Sequence, residues 1–224
     1  MNTRPLLSAA TDAAFDTKTR GKILRSSLIL FNSGGFERAT TSQIAETANV
    51  LEGTLWYHFK AKQDLVIAHL EAFEESLKRK LSAPAASALP NTAEQFLGIF
   101  ETLWDFRYLL RDPLAALQEG EVLLRLQQTY RSIEQSVEQR LRHADKLGLL
   151  DLSGTDIPAL AVSCVVSGRY WLDYARIRYA DLPDANRDRQ QGIDQMLGLL
   201  RPYFTDKTQQ LIAERDPLKA LGVT

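Results

Sequence analysis

Residues 40–62, Thr-Thr-Ser-Gln-Ile-Ala-Glu-Thr-Ala-Asn-Val-Leu-Glu-Gly-Thr-Leu-Trp-Tyr-His-Phe-Lys-Ala-Lys, most narrow what this chain can fold into, because they read as two short helices around a tight turn. The first is expected to start near Thr41, whose hydroxyl can cap the amides of the next turn. It should end at Ala48, before Asn49, a residue that tolerates left-handed backbone angles. Ile44, Ala45 and Ala48 face inward. The second helix is expected from about Leu51 to Phe59. At roughly 100° per residue, Leu55 and Phe59 share one stripe while Gly53 and Tyr57 lie opposite. One side packs, and the other is left to enter a groove.

The outward side carries groups suited to nucleic acid. Gly53 lets the backbone come close to a duplex, and Thr54 offers a hydroxyl and a methyl to base edges or phosphate. Trp56 and Tyr57 add flat surfaces with one donor each. His58 flanks this face, and Lys60 and Lys62 lie where a phosphate strand should pass, a contact that fixes register without reading sequence. With Thr41, Ser42 and Gln43 at the start of the first helix, these residues form the candidate DNA-contacting set. A small three-helix core with a solvated aromatic edge would show the same pattern.

From Thr40 to Lys62 the paired threonines, Ile-Ala, the turn, Gly-Thr-Leu, two aromatics, His-Phe and Lys resemble the tetracycline-repressor (TetR) family of bacterial transcription regulators. Upstream, Thr19-Arg-Gly-Lys-Ile-Leu, Leu28 to Phe31 and Gly34-Gly-Phe36 look like that family's first helix and its glycine stop, so the resemblance covers roughly residues 17–75. Three positions depart from the pattern. Leu51 stands where the family usually has a capping serine, leaving that helix start to lean on Glu52 or water; Asn49 replaces a turn glycine; and Trp56 replaces a common tyrosine.

Length and charge fit two helical domains. A chain of 224 residues with 45% hydrophobic content can hold a small reader and a larger domain, each with its own core. The net charge of −1 hides an asymmetry, since residues 17–62 carry +4 and residues 63–224 carry −4. One such basic module neutralises few phosphates, so useful affinity calls for two copies on one duplex. No apolar run reaches the length of about 18 residues that a membrane span needs, and residues 1–16 lack the order of a signal peptide. A cytoplasmic homodimer without membrane contact is expected. The single Cys164 excludes an intramolecular disulfide.

The expected fold class is all-α. Residues 1–16, Ala-rich and without a clear period, are expected as a loose arm, with a minor-groove reach by Arg4 as the alternative. Residues 17–62 form the helix-turn-helix domain, opening with a helix from Thr17 to Ser33 that buries Ile23, Leu24, Leu28, Leu30 and Phe31 and is capped by Gly34-Gly35. Residues 63–81 make a connecting helix, starting near Lys62, that carries Leu65, Val66, Leu70, Phe73 and Leu77. The Pro/Ala/Ser stretch 82–91 is the linker, and residues 92–224 are the helical ligand-binding and dimerisation domain.

Within that domain Asn91 and Glu94 open a helix through Leu110, and Asp112-Pro113 opens a short one. Glu121 to Leu147 is one long helix stopped by Gly148. Thr155 caps a helix reaching Tyr179, another runs from Asp184 to Phe204, and a short tail helix follows. The resemblance implies that the last two long helices pair with their twofold mates. Ala159, Ala161, Ser163, Ser167 and Gly168, with Leu160, Val162, Val165 and Val166 beside them, would allow close approach, and Met196, Leu197, Leu199 and Leu200 would supply the facing side. The same residues could instead be monomer core.

Signals for catalysis are missing. His58, His69 and His143 are scattered over separate helices without ligand spacing, no phosphate loop occurs, and Cys164 sits in an apolar run, so no catalytic residue, metal or cofactor is expected. Phe96, Phe100 and Trp104 follow i, i+4, i+8, which suits packing as well as a pocket. The resemblance implies a small ligand inside this domain, with Phe100, Trp104, Arg107, Tyr130, Tyr170 and Tyr174 as the candidate residues. Arg107, Arg111, Arg169 and Arg176 could meet an anionic group or pair with Glu101, Asp105 or Asp173. The expected function is a ligand-responsive homodimeric regulator, a repressor released from a near-palindromic operator by an unknown small-molecule effector. A ligand-independent regulator working through a protein partner, or a helical enzyme or carrier that kept a reader domain, are the alternatives.

Overall fold

The computed structural model describes residues 7–81, 98–111, 120–178 and 185–214, and these are helical apart from turns and one isolated antiparallel bridge, Leu150 to Phe204. In chain order the helices are α1 (Ala9–Ala14), α2 (Thr19–Gly34), α3 (Thr41–Thr47), α4 (Glu52–His58), α5 (Lys62–Leu81), α6 (98–105), α7 (Arg107–Arg111), α8 (Gly120–Lys146), α9 (Ile157–Arg178), α10 (Ala185–Leu200) and α11 (Asp206–Glu214). The all-α expectation holds. Arg4, the 82–91 linker, the Asn91 and Glu94 cap, Phe96, Asp112-Pro113 and the starting Asp184 lie outside the described residues, as does the Arg176 side chain.

Packing divides the chain into two compact units, residues 1–82 with 101–129, and residues 83–100 with 130–224. Segment 101–129, expected with the ligand domain, thus packs with the N-terminal helices. The expected loose arm is also corrected from residue 7 onward. Leu7, Thr11 and Phe15 recur every fourth residue and are buried, Ser8 caps α1, and Arg25 of α2 binds Asp12 and the Phe15 carbonyl. Alanines between these positions blurred the period in the sequence.

The first unit is built around α2 and α5. Ile23, Leu24, Leu28 and Phe31 of α2 are buried, as are Leu65, Val66, Leu70, Phe73 and Leu77 of α5, while Leu30 is only half-buried. At Gly21 a side chain would strike the Asp16 carbonyl, so only glycine fits there. Gly35, with φ +85°, ends α2 in the left-handed region, as the glycine pair predicted.

The expected helix through Leu110 is interrupted at Phe106. Leu109 N–H turns to the Phe106 carbonyl, leaving the Asp105 carbonyl and the Tyr108 N–H without helical partners. Asn32 of α2 supplies both: its Nδ2 donates to Asp105 O at 2.6 Å, and its Oδ1 accepts from Tyr108 N at 3.1 Å. On α5, buried His69 completes the link. Its Nε2 meets the Leu24 carbonyl at 2.9 Å and its Nδ1 meets the Tyr108 hydroxyl at 2.8 Å. A carbonyl can only accept, so Nε2 carries the proton and Nδ1 accepts from Tyr108.

In the second unit α8 ends at Lys146, and Gly148, with φ +65°, turns the chain just beyond it, close to the expected stop. The cap of α9 is Asp156, whose Oδ1 accepts from Ala159 N at 3.1 Å, not Thr155. One face of α9, with Ala161, Cys164, Gly168, Trp171 and Ala175, is buried, and it packs on α10. A methyl group at Gly192 of α10 would lie 2.5 Å from Phe100 Cζ and 2.6 Å from Trp171 Cδ1, so the contact depends on glycine. Helix α10 stops at Leu200 rather than Phe204. Pro202 disfavours continued α-helix, and a 3-10 turn over Arg201–Tyr203 leads to the Leu150 bridge.

Candidate functional site

The helix-turn-helix is assembled from α3 and α4. Thr40, not Thr41, is the cap of α3: its hydroxyl accepts from Gln43 N at 3.2 Å, and the Gln43 side chain accepts from Thr40 N at 3.0 Å. Thr41 Oγ1 instead donates to Glu52 at 2.6 Å, joining the starts of α3 and α4. Asn49 turns the chain at φ +54°, in the region expected for it.

Burial of Ile44, Ala45 and Ala48 from α3, and of Leu55 and Phe59 in and beyond α4, locks the two helices to the core. Leu51 caps α4 without a side-chain hydrogen bond, so the missing serine is not replaced; Glu52 is engaged by Thr41. The opposite face of α4 stays open. Tyr57 is 76% exposed and Trp56 40%, Gly53 has open space above its backbone, and Thr54 and His58 are half-buried. Ser42 is exposed at the start of α3. Two adjacent exposed rings on a helix whose other face is buried form an apolar patch that this fold leaves uncovered.

The two lysines differ. Lys60 is exposed and curls over the end of α4, with Nζ 3.3 Å from Trp56 O and 5.8 Å from the Tyr57 ring centre. Lys62 was expected beside phosphate, but its ammonium donates to Phe36 O at 2.8 Å and Ala39 O at 3.1 Å and lies over the Phe36 ring. It ties down the loop between α2 and α3. Sequence spacing placed the residue but could not show that these carbonyls need its charge.

The six ligand candidates fall in both units. In the first, Arg107 Nη1 donates to Trp104 O at 2.9 Å and its guanidinium lies 5.0 Å from the Trp104 ring centre. In the second, Phe100 is packed beneath Gly192 beside Trp171 and behaves as core. Tyr130 is hydrogen-bonded to Arg169, which pairs with Asp173 at 2.5 Å; burial, the largest effect, raises the phenol above its ordinary value. Tyr170 and Tyr174 are exposed on the outer face of α9, together with Val162, Val166 and Ile177. That face also shows Ala159 and Ser163, whereas Ala161 and Gly168 point into the monomer, so the expected small-residue set is divided between two faces. On α10, Leu197 and Leu199 are exposed, Met196 is half-buried and Leu200 buried.

Among the described residues no cluster of His, Cys, Asp or Glu could hold a metal, and no helix is long and apolar enough to cross a membrane. Burial pushes the Cys164 thiol up to about 11, which keeps it protonated and unreactive near neutral pH.

Known proteins resemble this chain along most of its length. A family model described as "Bacterial regulatory proteins, tetR family" matches residues 23–69, and one described as "Bacterial transcriptional repressor" matches residues 72–212. The chain is 32% identical over 73 residues to the HTH-type transcriptional regulator TcmR of Streptomyces glaucescens, a match spanning 33% of this chain and 32% of that relative. A crystal structure of a TetR-family transcriptional regulator from Marinobacter aquaeolei VT8 shares the fold with a TM-score of 0.75 at 24% identity, over 89% of this chain and 98% of that one. The SmeT-triclosan complex gives a TM-score of 0.58 at 24% identity, over 85% of this chain and 93% of SmeT. The model matched over 72–212 covers more than half of the molecule, and with the helix-turn-helix matched in front of it the chain belongs to the TetR family of bacterial transcription regulators.

Proposed function

We propose that this regulator is a cytoplasmic homodimeric repressor that binds a near-palindromic operator through α3 and α4 and lets go when a small-molecule effector binds. The open face of α4 carries the reading: Gly53, Thr54, Trp56 and Tyr57 stand on a helix whose other side is fixed by Leu55 and Phe59. Thr41, Ser42, Gln43, His58 and Lys60 border it as positioning contacts. Selection of random duplexes by the purified protein tests this. A twofold-related site should emerge, and Thr54→Ala should change preference at one or two positions in each half. Enrichment of no sequence at low salt would overturn the operator reading.

The outer face of α9 supports the homodimer reading, because Val162, Val166, Tyr170, Tyr174 and Ile177 form an exposed apolar stripe that pairing would take out of water. Tyr170 and Tyr174 then act at the interface and not on the effector. Val166→Glu should give monomers in sedimentation and weaken operator binding; a variant that stays dimeric would remove this face from the interface. The effector part draws on SmeT, a neighbour solved with triclosan. An effector can release DNA only by binding the non-DNA conformation better, so saturating operator must weaken effector binding by the same factor.

A further inference from the structure

The arginines of the first unit do not share one environment. Arg25 pairs with Asp12 and Arg125 with Glu74, each held by a carboxylate. Arg107, which is half-buried, has no ion pair among the described residues. Its hydrogen bond is one Nη1 donation to Trp104 O; among the described residues the Nε edge and the second amino group of the fork have no acceptor, and the guanidinium plane is backed by the indole at 5.0 Å. The neighbouring carboxylate cannot serve it well, because both Asp105 oxygens accept from Ser8, from N at 3.2 Å and from Oγ at 2.5 Å.

The nearby Asp105 carboxylate is already bonded by Ser8, and a half-buried planar fork with donors to spare suits a second carboxylate held by two parallel bonds. Burial, then the like charge of Arg111, lower Arg107 to about 10, partly offset by Asp105, so it still carries its proton at neutral pH. We propose that Arg107 is the anion-binding residue of the effector site, and that the effector is a small organic monocarboxylate whose apolar body lies against Trp104. The planar fork matches the two oxygens of a carboxylate, and the indole face favours a flat or aliphatic body. This inference rests on the reading that the chain holds a small-molecule effector.

The test uses the full-length protein without DNA, so its result is independent of operator binding. Benzoate and hexanoate are compared with benzamide and hexanamide by saturation-transfer NMR and calorimetry. Each acid should bind at least tenfold more tightly than its amide. Arg107→Gln should weaken the acids at least tenfold and leave the amides unchanged, and Arg107→Lys should fall between, since it keeps the charge but not the fork. If Arg107→Gln does not fold, the acid-to-amide ratio on the native protein decides alone. Amides binding as well as acids would overturn the anion proposal while leaving an effector site in place. Acids that fail to bind at 10 mM, or that bind Arg107→Gln unchanged, would overturn it outright.

Discussion

The side-chain amide of Asn32 stands in for two hydrogen bonds of a helix that breaks at Phe106, donating to the Asp105 carbonyl and accepting from the Tyr108 N–H. All three residues are buried, so no water can take over either role. Asn32→Ala should therefore cost about 2–4 kcal/mol, the loss of partners for two buried backbone groups. Asn32→Asp keeps an acceptor for Tyr108 but sets an oxygen against the Asp105 carbonyl, and should be at least as damaging. Urea unfolding measures both; a loss below about 0.5 kcal/mol for Asn32→Ala would mean that the break heals by itself.

His69 makes the first unit sensitive to acid. Burial, the dominant cause, pulls its imidazole from 6.5 down to about 4, against the smaller upward pull of the Leu24 carbonyl. The folded state thus binds the proton more weakly than the unfolded chain, and stability falls as pH drops from about 6.5 toward 4. Among the described residues no titratable side chain hydrogen-bonds the ring except Tyr108, whose phenol burial raises well above its ordinary value and keeps neutral throughout this range. Between pH 7.5 and 5 the native protein should lose about 2 kcal/mol more than His69→Gln. Parallel losses in the two proteins would show that His69 is not the sensor.

The hydrophobic periods of α2, α5 and α8 made their spans legible in the sequence, and the side-chain chemistry of α4 made the family legible. Spacing could not reveal that Thr40 caps α3 while Thr41 bonds Glu52, because both neighbours are threonines and either can cap. Nor could it show the break at Phe106, which is made by Asn32 from another helix, 73 residues before Asp105. The ligand candidates suffered most. An aromatic at helical spacing reads the same whether it is core like Phe100, exposed like Tyr170, or backing a cation like Trp104.

Leu51 offers a way to improve on the natural sequence. It caps α4 in an extended conformation, φ −70° and ψ 145°, that a serine would adopt unchanged, and it is 80% exposed, so its side chain is not part of the core. Leu51→Ser would place a hydroxyl within reach of the amides of Gly53 and Thr54, and should gain about 0.5–1.5 kcal/mol. Thermal unfolding reads the gain. A loss instead would show that Leu51 is covered by something the isolated chain does not display.

Lys60 and Lys62 should separate cleanly in a salt titration of DNA binding. Lys60 is exposed at the end of the reading helix and is positioned to displace counterions from a phosphate, so Lys60→Ala should make the slope of log affinity against log salt shallower by about one. The Lys62 ammonium already satisfies Phe36 O and Ala39 O, which lie in the loop that delivers Thr40 to the cap of α3. Lys62→Met keeps the stem but strips both carbonyls of their donor. It should lower stability by about 1–3 kcal/mol while leaving the salt slope near the native value. If Lys62→Met flattened the slope as Lys60→Ala does, with its melting temperature unchanged, the ammonium would have to leave those carbonyls for a phosphate on the bound duplex. The observed hydrogen bonds would then describe only the protein away from DNA.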